Sequence, residues 1–281
     1  MVKLANKKSI VFSFLITYLL ILFVPISIGF IIYAKSSQII EEEINRANAA
    51  VLKQLQQNVD KRLDDALRLS TDIALDPKII SMVNIAGQYE ARQYYDFIGL
   101  KKGFLSYQAA NSFIEEIYIY FRNNQLILSG SGTYDPEMFF HKTYGNNLEF
   151  EAWQDFMGDM HRREFVQMHE IGTGTIDKKF IVLAQSLPLE YAGGSNATLI
   201  IHLADSVFKE SIQKTRWLDQ GTIQIVNNSN DLLYTTSKDG GTEPTVRYDA
   251  ISGTEGNLKL KNVSEDVIVS YIQSGIADWT Q

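Results

Sequence analysis

Cysteine is absent from the 281 residues of this sequence. Its absence excludes disulfide bonds, thiolate metal sites and cysteine nucleophiles, so a folded domain must be stabilised by its core alone. Motifs of catalysis and cofactor binding are missing too. There is no Gly-x-Ser-x-Gly nucleophile elbow, and Gly172-Thr173-Gly174 lacks the rest of a dinucleotide-binding fingerprint. The sequence therefore predicts no cofactor and no enzyme; an anchored hydrolase would need paired carboxylates in a cleft or a metal site.

Histidine is scarce, and the spacing of the four histidines matches no metal-binding pattern. They are His141, His161, His169 and His202. No carboxylate joins them in a known arrangement. We therefore interpret all four as surface residues and predict no metal site.

Acidic residues are absent from residues 1–35, which carry only Lys3, Lys7, Lys8 and Lys35. Subtracting these four from the 26 basic residues of the chain leaves 22 against 33 acidic residues, a net charge of −11 for the remainder. A surface of that sign repels phosphate backbones. We therefore expect no binding of nucleic acid by this portion.

Charge is missing altogether from Ile10 to Ala34, a run of 25 mostly apolar residues. A helix of that length crosses a hydrocarbon core of about 30 Å. A cleaved signal peptide is the alternative, but the run is long and Tyr33-Ala34-Lys35 is a poor cleavage site. We predict a cytoplasmic tail over 1–9 and a transmembrane helix over 10–34, with the lipid bilayer as a partner. Lysines before the span and Glu41–Glu43 after it place residues 35–281 outside the cytoplasm.

Glycine and proline are absent between Lys35 and Asp76, and apolar residues recur there at steps of three or four. This pattern predicts a long exit helix over 35–76, ended by Pro77. About forty helical residues would reach roughly 60 Å from the membrane. One interpretation is a stalk that transmits force or forms a homodimer. The other is a helix packed along its own domain, which the lack of a strict heptad favours; both can hold.

Residues 77–204 mix helical and strand patterns. A helix is expected over 89–111, and Ile117, Ile119 and Phe121 then alternate with Tyr118 and Tyr120 as in a half-buried strand. The Asn123-Asn124 turn, a returning strand over 126–128 and a Gly- and Pro-containing loop over 130–136 follow. A helix over 150–160, a weak strand over 165–171 and strands over 180–186 and 197–203 complete a first unit.

Residues 205–281 faintly repeat this plan. Asp205 is expected to cap a helix, and a hairpin over 222–235 follows. The stretch Val267–Gln273 resembles Ile181–Gln185; each ends in Gln and is followed by Ser. No strand comparable to 197–203 is predicted after the second Gln-Ser, so the second unit is expected to be incomplete. The fold class is therefore α+β, with two units that contain antiparallel sheets.

A family resemblance rests on four stretches: Ser36–Asn48 (SSQIIEEEINRAN), Leu52–Leu63 (LKQLQQNVDKRL), Phe113–Phe121 (FIEEIYIYF) and Ala184–Pro188 (AQSLP). In this order, after a basic tail and a membrane span, the chain resembles the double Cache (PAS-like) extracytoplasmic sensors of bacterial receptors. More narrowly, it is similar to membrane-bound AraC-type transcriptional regulators of Gram-positive bacteria.

The resemblance implies a signal-sensing region truncated before a second membrane span and a cytoplasmic DNA-binding domain. Similar sensors occur on histidine kinases and chemoreceptors, and a standalone anchored ligand-binding protein is a further alternative.

The resemblance also implies a ligand pocket on the sheet of the membrane-distal unit. Tyr118 and Tyr120 share one face of their strand, Trp153 could form a stacking wall, and Arg163 could pair with a carboxylate. The alternative is that the aromatic residues form core and that Arg163 is solvated. The Arg-Trp-Tyr-Asp pattern of amino-acid-binding Cache sensors does not match cleanly. The expected ligand is therefore an unknown small molecule, or a cell-envelope ligand such as a sugar sensed through a partner.

Overall fold

The structure is a computed structural model. It describes residues 5–85, 87, 89–145, 149–168, 181–188, 195–204, 208, 212, 222–237, 246, 251, 253–261, 266–277 and 279–280. The chain divides into two compact units, Met1–Val51 and Leu52–Gln281. The predicted helix that follows Asp205 lies outside the described residues, apart from residues 208 and 212.

The first unit is helical from Ala5 onward, within helix α1 (Ala5–Ala74). Its window of highest mean hydropathy reaches 2.6, and no part of that window is buried among the described residues. Among the described residues, α1 is the one helix long and apolar enough to cross a membrane. The predicted span and exit helix thus belong to a single helix, which starts inside the predicted tail. It ends at Ala74, two residues before the predicted end.

Four further α-helices of the second unit have both ends within the described residues. They are α2 (Pro77–Val83), α3 (Ala91–Ala110), α4 (Pro136–Tyr144) and α5 (Phe150–Gly158). The predictions for α3 and α5 are confirmed within two residues at each end. Helix α4 was missed, because Asp135 and Pro136 were read as loop residues. In the structure Asp135 caps the helix by accepting from the backbone N–H of Glu137, with Pro136 in the first turn.

A six-stranded antiparallel sheet forms the centre of the second unit, in the order β3-β2-β1-β6-β5-β4. Its strands are β1 (Ile114–Phe121), β2 (Leu126–Ser129), β3 (Gly132–Tyr134), β4 (Arg162–Gln167), β5 (Ile181–Leu187) and β6 (Ala197–Leu203). The predicted hairpin and the two predicted strands near 181 and 197 are confirmed. β4 begins three residues before the predicted weak strand.

Both faces of the sheet are buried. Residues 55–74 of α1 pack with α2 and α3 against one face, through Val59, Leu63 and Ala66 on the helix and Ile117 and Ile119 on the sheet. The opposite face is covered by α4 and α5 and is mostly aromatic. Period-two alternation in β1 accounts for this division, since odd and even residues of a strand point to opposite faces.

Two smaller sheets follow in the chain. One has the order β11-β7-β8, with β7 (Gln224–Asn227), β8 (Leu232–Thr235) and β11 (Trp279–Thr280); the other pairs β9 (Glu255–Lys261) with β10 (Asp266–Ile272). After the second Gln-Ser the described residues contain β11, which has two residues against the seven of β6, and the incompleteness of the second unit stays a prediction. β7 is the middle strand of its sheet, with β8 on one side and β11 on the other. In the same way, β1 lies between β2 and β6 in the six-stranded sheet.

Candidate functional site

A cavity of about 180 Å³ lies between α4 and the six-stranded sheet. Its lining combines charged, hydroxyl and aromatic side chains: Glu115, Glu116, Ser131, Phe139, Lys142, Thr143 and His202. Helix α4 supplies Phe139, Lys142 and Thr143 at i, i+3 and i+4, the spacing that places side chains on one face of a helix. The sheet supplies the carboxylates and the imidazole.

Glu116 and His202 lie directly opposite one another on the neighbouring strands β1 and β6. Residues paired across an antiparallel ladder point to the same face, with their Cβ atoms about 5 Å apart. The register of the two strands thus sets a carboxylate beside an imidazole at one end of the sheet. His202 is 2% exposed.

A chain of hydrogen bonds leads from His202 into the aromatic interior. Nε2 of His202 lies 2.7 Å from the hydroxyl of Tyr144, and that hydroxyl lies 2.7 Å from the hydroxyl of Tyr118. Burial raises the pKa of both tyrosines, and for Tyr144 the neighbouring Tyr118 raises it further. Both phenols are therefore neutral at physiological pH, and each hydroxyl can donate one hydrogen bond and accept another.

Lys142 is the cation of the site. Its Nζ donates to the Tyr134 hydroxyl at 2.9 Å and to Ser131 Oγ at 3.3 Å, and it lies 4.5 Å from the centre of the Tyr134 ring. The hydrogen bond from Lys142 is the largest cause of the lowered pKa of Tyr134. An ammonium group has three N–H donors, so one remains for a third partner.

The surroundings of Glu116 disfavour the charged form of its carboxylate. Loss of solvent raises its pKa, and the negative charge of Glu115 adds to this effect; the Lys142 cation and the Ser129 hydroxyl lower it, but the net shift is upward. Its Oε1 is buried and has no hydrogen-bond partner in the part of the chain that the structure describes. A buried acceptor without a donor costs free energy that a bound N–H or O–H group would recover.

The structure brings Tyr118, Tyr120 and Trp153 together on the face covered by α4 and α5. Tyr118 and Trp153 are fully buried. The Trp153 and Tyr120 ring centroids are 5.9 Å apart. The indole N–H of Trp153 is close enough to lower the pKa of both Tyr118 and Tyr144, yet among the described residues it makes no hydrogen bond of normal geometry. None of the three residues lines the cavity; Tyr118 adjoins it through ring contacts with the lining residues Phe139 and His202.

Arg163 is not part of this arrangement. It is exposed and donates to Thr71 Oγ1 at 3.2 Å, on helix α1 and hence on the opposite side of the sheet. A β-bulge explains the difference: Arg162 pairs with Gln185 and Glu164 with Ala184, so Arg163 is left out of the ladder with a φ of 61°. Simple alternation along the strand fails at such a position.

Two of the histidines also differ from expectation. His161 and His202 are buried, so their interpretation as surface residues was wrong, whereas His141 is exposed. His161 is held by Glu164 Oε1 at 2.5 Å and the Phe156 carbonyl at 2.7 Å. His169 lies outside the described residues. Within the described ranges, no three His, Asp or Glu side chains come together as a metal site would require.

The sequence interpretation missed most of the cavity itself. Glu116 and His202 each had a detectable signal, since both are polar residues inside mostly apolar strands. Lys142 had none, because its position depends on α4, a helix that was not predicted.

No protein-family model matches the chain, and no curated protein matches it. Solved structures do. The extracellular domain of rpHK1S-Z16, assigned as a histidine kinase, matches with a TM-score of 0.56 at 9% identity over 86% of this chain and 93% of that domain. The ligand-binding domain of the Pseudomonas aeruginosa amino-acid chemoreceptor PctC, solved with GABA, matches with a TM-score of 0.50 at 11% identity, covering 84% and 97%.

The sensory domain of the Campylobacter jejuni chemoreceptor Tlp3, solved with isoleucine, has a TM-score of 0.46 at 13% identity, covering 85% and 91%. At such identities the likeness concerns the fold alone. The chain has the mixed helix and antiparallel-sheet fold of extracellular sensory, Cache-like domains.

Proposed function

We propose that this chain is the extracytoplasmic sensor region of a membrane-anchored signalling protein, and that a small molecule binds in the cavity between α4 and the six-stranded sheet. The observation that carries the proposal is the buried Oε1 of Glu116, which has no partner among the described residues and belongs to a cavity that also contains Lys142. The fold, shared with extracellular sensory domains of receptors, supports the same conclusion.

The placement outside the cytoplasm is part of the proposal. The apolar helix gives the membrane segment. Lys3, Lys7 and Lys8 precede it and Glu41–Glu43 follow it, a distribution that favours a cytoplasmic N-terminus. We assign ligand binding to the unit 77–204 and treat 205–281 as the membrane-proximal unit.

The cavity favours a ligand with a donor group, preferably a protonated amine, and a separate acceptor. Glu116 Oε1 can accept from the donor, the remaining N–H of Lys142 can reach an acceptor, and Phe139 offers an apolar surface. The volume admits only a small molecule. GABA, which is bound in the PctC structure, has both groups and belongs in a first ligand panel.

For the output we propose AraC-type transcription control, with a histidine kinase or a chemoreceptor as the alternative, and a standalone binding protein as a third. The coding sequence downstream of residue 281 distinguishes them. Paired helix-turn-helix segments support the first, and an ATP-binding kinase core or a long signalling coiled coil supports the second.

The binding proposal is tested by a thermal-shift screen of the full chain in detergent micelles against amino acids, GABA, small amines, carboxylates and sugars. A ligand that binds the folded state raises the midpoint by mass action, by about 2.7 kcal/mol in stability at one hundred times its Kd. The shift should disappear in Glu116→Gln and Lys142→Met and persist in Lys102→Met, which removes an exposed lysine of α3. A shift of equal size in all four proteins would place the ligand elsewhere.

A further inference from the structure

A polar turn after β10 is attached to helix α1 by side-chain hydrogen bonds. Ser274 Oγ donates to Asp60 Oδ1 at 2.5 Å, and the backbone N–H of Gly275 donates to Asp60 Oδ2 at 2.9 Å. One helical turn earlier, Gln56 Nε2 donates to the carbonyl of Gln273 at 2.5 Å. Two side chains on one face of α1 thus hold three consecutive residues of the turn. We call residues 273–277 the docking turn.

The docking turn is also organised internally around the same serine. Ser274 Oγ accepts from the backbone N–H groups of Ile276 and Ala277, each at 3.1 Å. The Asp60 carboxylate orients the serine hydroxyl, and the serine oxygen in turn orders the following peptides. Loss of Asp60 should therefore release the turn as a unit.

The position of the docking turn gives this contact its significance. The turn connects β10, which pairs with β9, to β11, which pairs with β7. These strands belong to different sheets. The docking turn thus lies in a connection between the two sheets, and it is held by the same helix whose sequence continues into the apolar segment.

The hydrogen bonds of Gln56 and Asp60 to the docking turn lie at partly buried or exposed positions, and Ala277, the last residue of the turn, also packs against the hydrophobic core. Val59 and Leu63, on either side of Asp60, are fully buried in the core against the six-stranded sheet. Hydrogen bonds at a solvent-accessible site exchange with water at a small net cost, whereas an apolar interface has no such substitute. The docking turn can therefore open while α1 stays packed.

We propose that the docking turn is a releasable coupling between the two C-terminal sheets and α1, with Asp60 as the residue that holds it closed. Its role in signalling rests on the proposed sensor function, but opening of the turn and its effect on α1 are properties of the chain without ligand. When the turn is docked, movement of the C-terminal sheets is transmitted to α1. When it is released, the helix is decoupled from them.

Hydrogen–deuterium exchange of the full chain in micelles tests the first part directly. The amides of Gly275, Ile276 and Ala277 should exchange through local opening, at least a hundredfold faster than the buried amides of β1 and β6. Exchange of these three amides at the same rate as β1, by global unfolding alone, would overturn the proposal.

Asp60→Ala tests the coupling, with Asp72→Asn, an exposed aspartate of the same helix, as the control. In Asp60→Ala the amides of the docking turn should exchange at least tenfold faster, and those of residues 52–60 should also change, while β1 and β6 keep their protection. Asp72→Asn should leave all of them unchanged.

A turn that opens in Asp60→Ala with no change in residues 52–60 would refute the coupling. If Asp60→Ala loses protection throughout the chain, Gln56→Ala replaces it, because this variant removes one peripheral hydrogen bond and keeps the carboxylate. The same local changes are then expected at a smaller amplitude, and their absence would count against the proposal.

Discussion

The guanidinium of Arg122 joins three segments of the chain at one end of the aromatic face. It donates to the carbonyls of Met157 and Asp159 at the end of α5, to the carbonyl of Ser195 ahead of β6, and to Thr198 Oγ1 within β6, at distances between 2.8 and 3.0 Å. Burial lowers the pKa of the group, and the nearby Tyr120 and Asp159 offset part of that shift. The group remains charged, and each of its hydrogen bonds is charge-assisted.

We expect Arg122→Ala to lower the free energy of unfolding by about 2–4 kcal/mol, because several carbonyls lose a charged donor at once. Arg122→Lys should recover only part of the loss, since one ammonium cannot reproduce the fork of donors. Chemical denaturation of the full chain in micelles measures both. The exposed Arg92→Ala on α3 is the control and should stay within about 0.5 kcal/mol of the unaltered protein.

Glu116 makes stability depend on pH in a direction opposite to that of most carboxylates. Its pKa in the folded state lies above its usual value of 4.5 because of burial. The folded state therefore binds more protons than the unfolded state between these two values, and stability falls as pH rises through that window. Glu116→Gln mimics the protonated form and should raise the unfolding midpoint at pH 7.

This gain should shrink as the pH is lowered through 4.5, because below that value Glu116 becomes protonated in the unfolded state as well as in the folded state. Glu151→Gln, at an exposed position of α5, should show no such pH-dependent gain. Unfolding midpoints of the unaltered protein and of both variants, recorded from pH 4 to pH 8, test this prediction. A benefit of Glu116→Gln that is constant across this range would contradict the assigned cause.

At the scale of single residues, alternation along the strand predicted that Tyr118 and Tyr120 share one face, and in the structure they do. Arg163 could not be predicted in this way, because a bulge is a property of the pairing of two strands. His202 is buried because it lies in β6, a strand that is buried on both faces. The spacing of the histidines in the sequence carries no information about this burial. Whether the aromatic residues contact a ligand stays a prediction.

At the scale of elements, the apolar residues that recur along the sequence of α1 are the ones that the helix buries in the core. Leu55, Val59, Leu63 and Ala66 recur at steps of three and four and are all buried against the sheet or α3. The choice of packing over a free stalk is thus confirmed for the portion from Leu52 onward. Homodimer formation stays a prediction.

We expect Leu63→Ala to cost about 2–5 kcal/mol in unfolding free energy, because it opens a cavity at a fully buried position beneath the sheet. The matched control is Leu75→Ala, since Leu75 follows α1 directly and is 58% exposed. Its cost should stay within about 0.5 kcal/mol. Equal losses in the two variants would mean that residue 63 does not lie in the core.

Elements with strong periodicity were predictable, and elements defined by capping or long-range pairing were not. The amphipathic runs of α1 and α3 and the apolar strands β5 and β6 carry their own signal. Helix α4 has only nine residues and begins at an Asp-Pro pair that also marks turns. β11 has two residues, and only its pairing with β7 identifies it as a strand. The cavity depends on α4, so it was beyond reach of the sequence.

At the scale of the whole molecule, the uneven distribution of charge favours an external position for the acidic part of the chain. The absence of cysteine makes this testable with single-cysteine variants. We expect Lys102→Cys, at an exposed site of α3, to react with a membrane-impermeant maleimide in intact cells. Lys3→Cys in the N-terminal tail should react only after the membrane is permeabilised, because positive residues are retained in the cytoplasm. The reverse labelling pattern would place the cavity inside the cell and refute the extracytoplasmic sensor proposal.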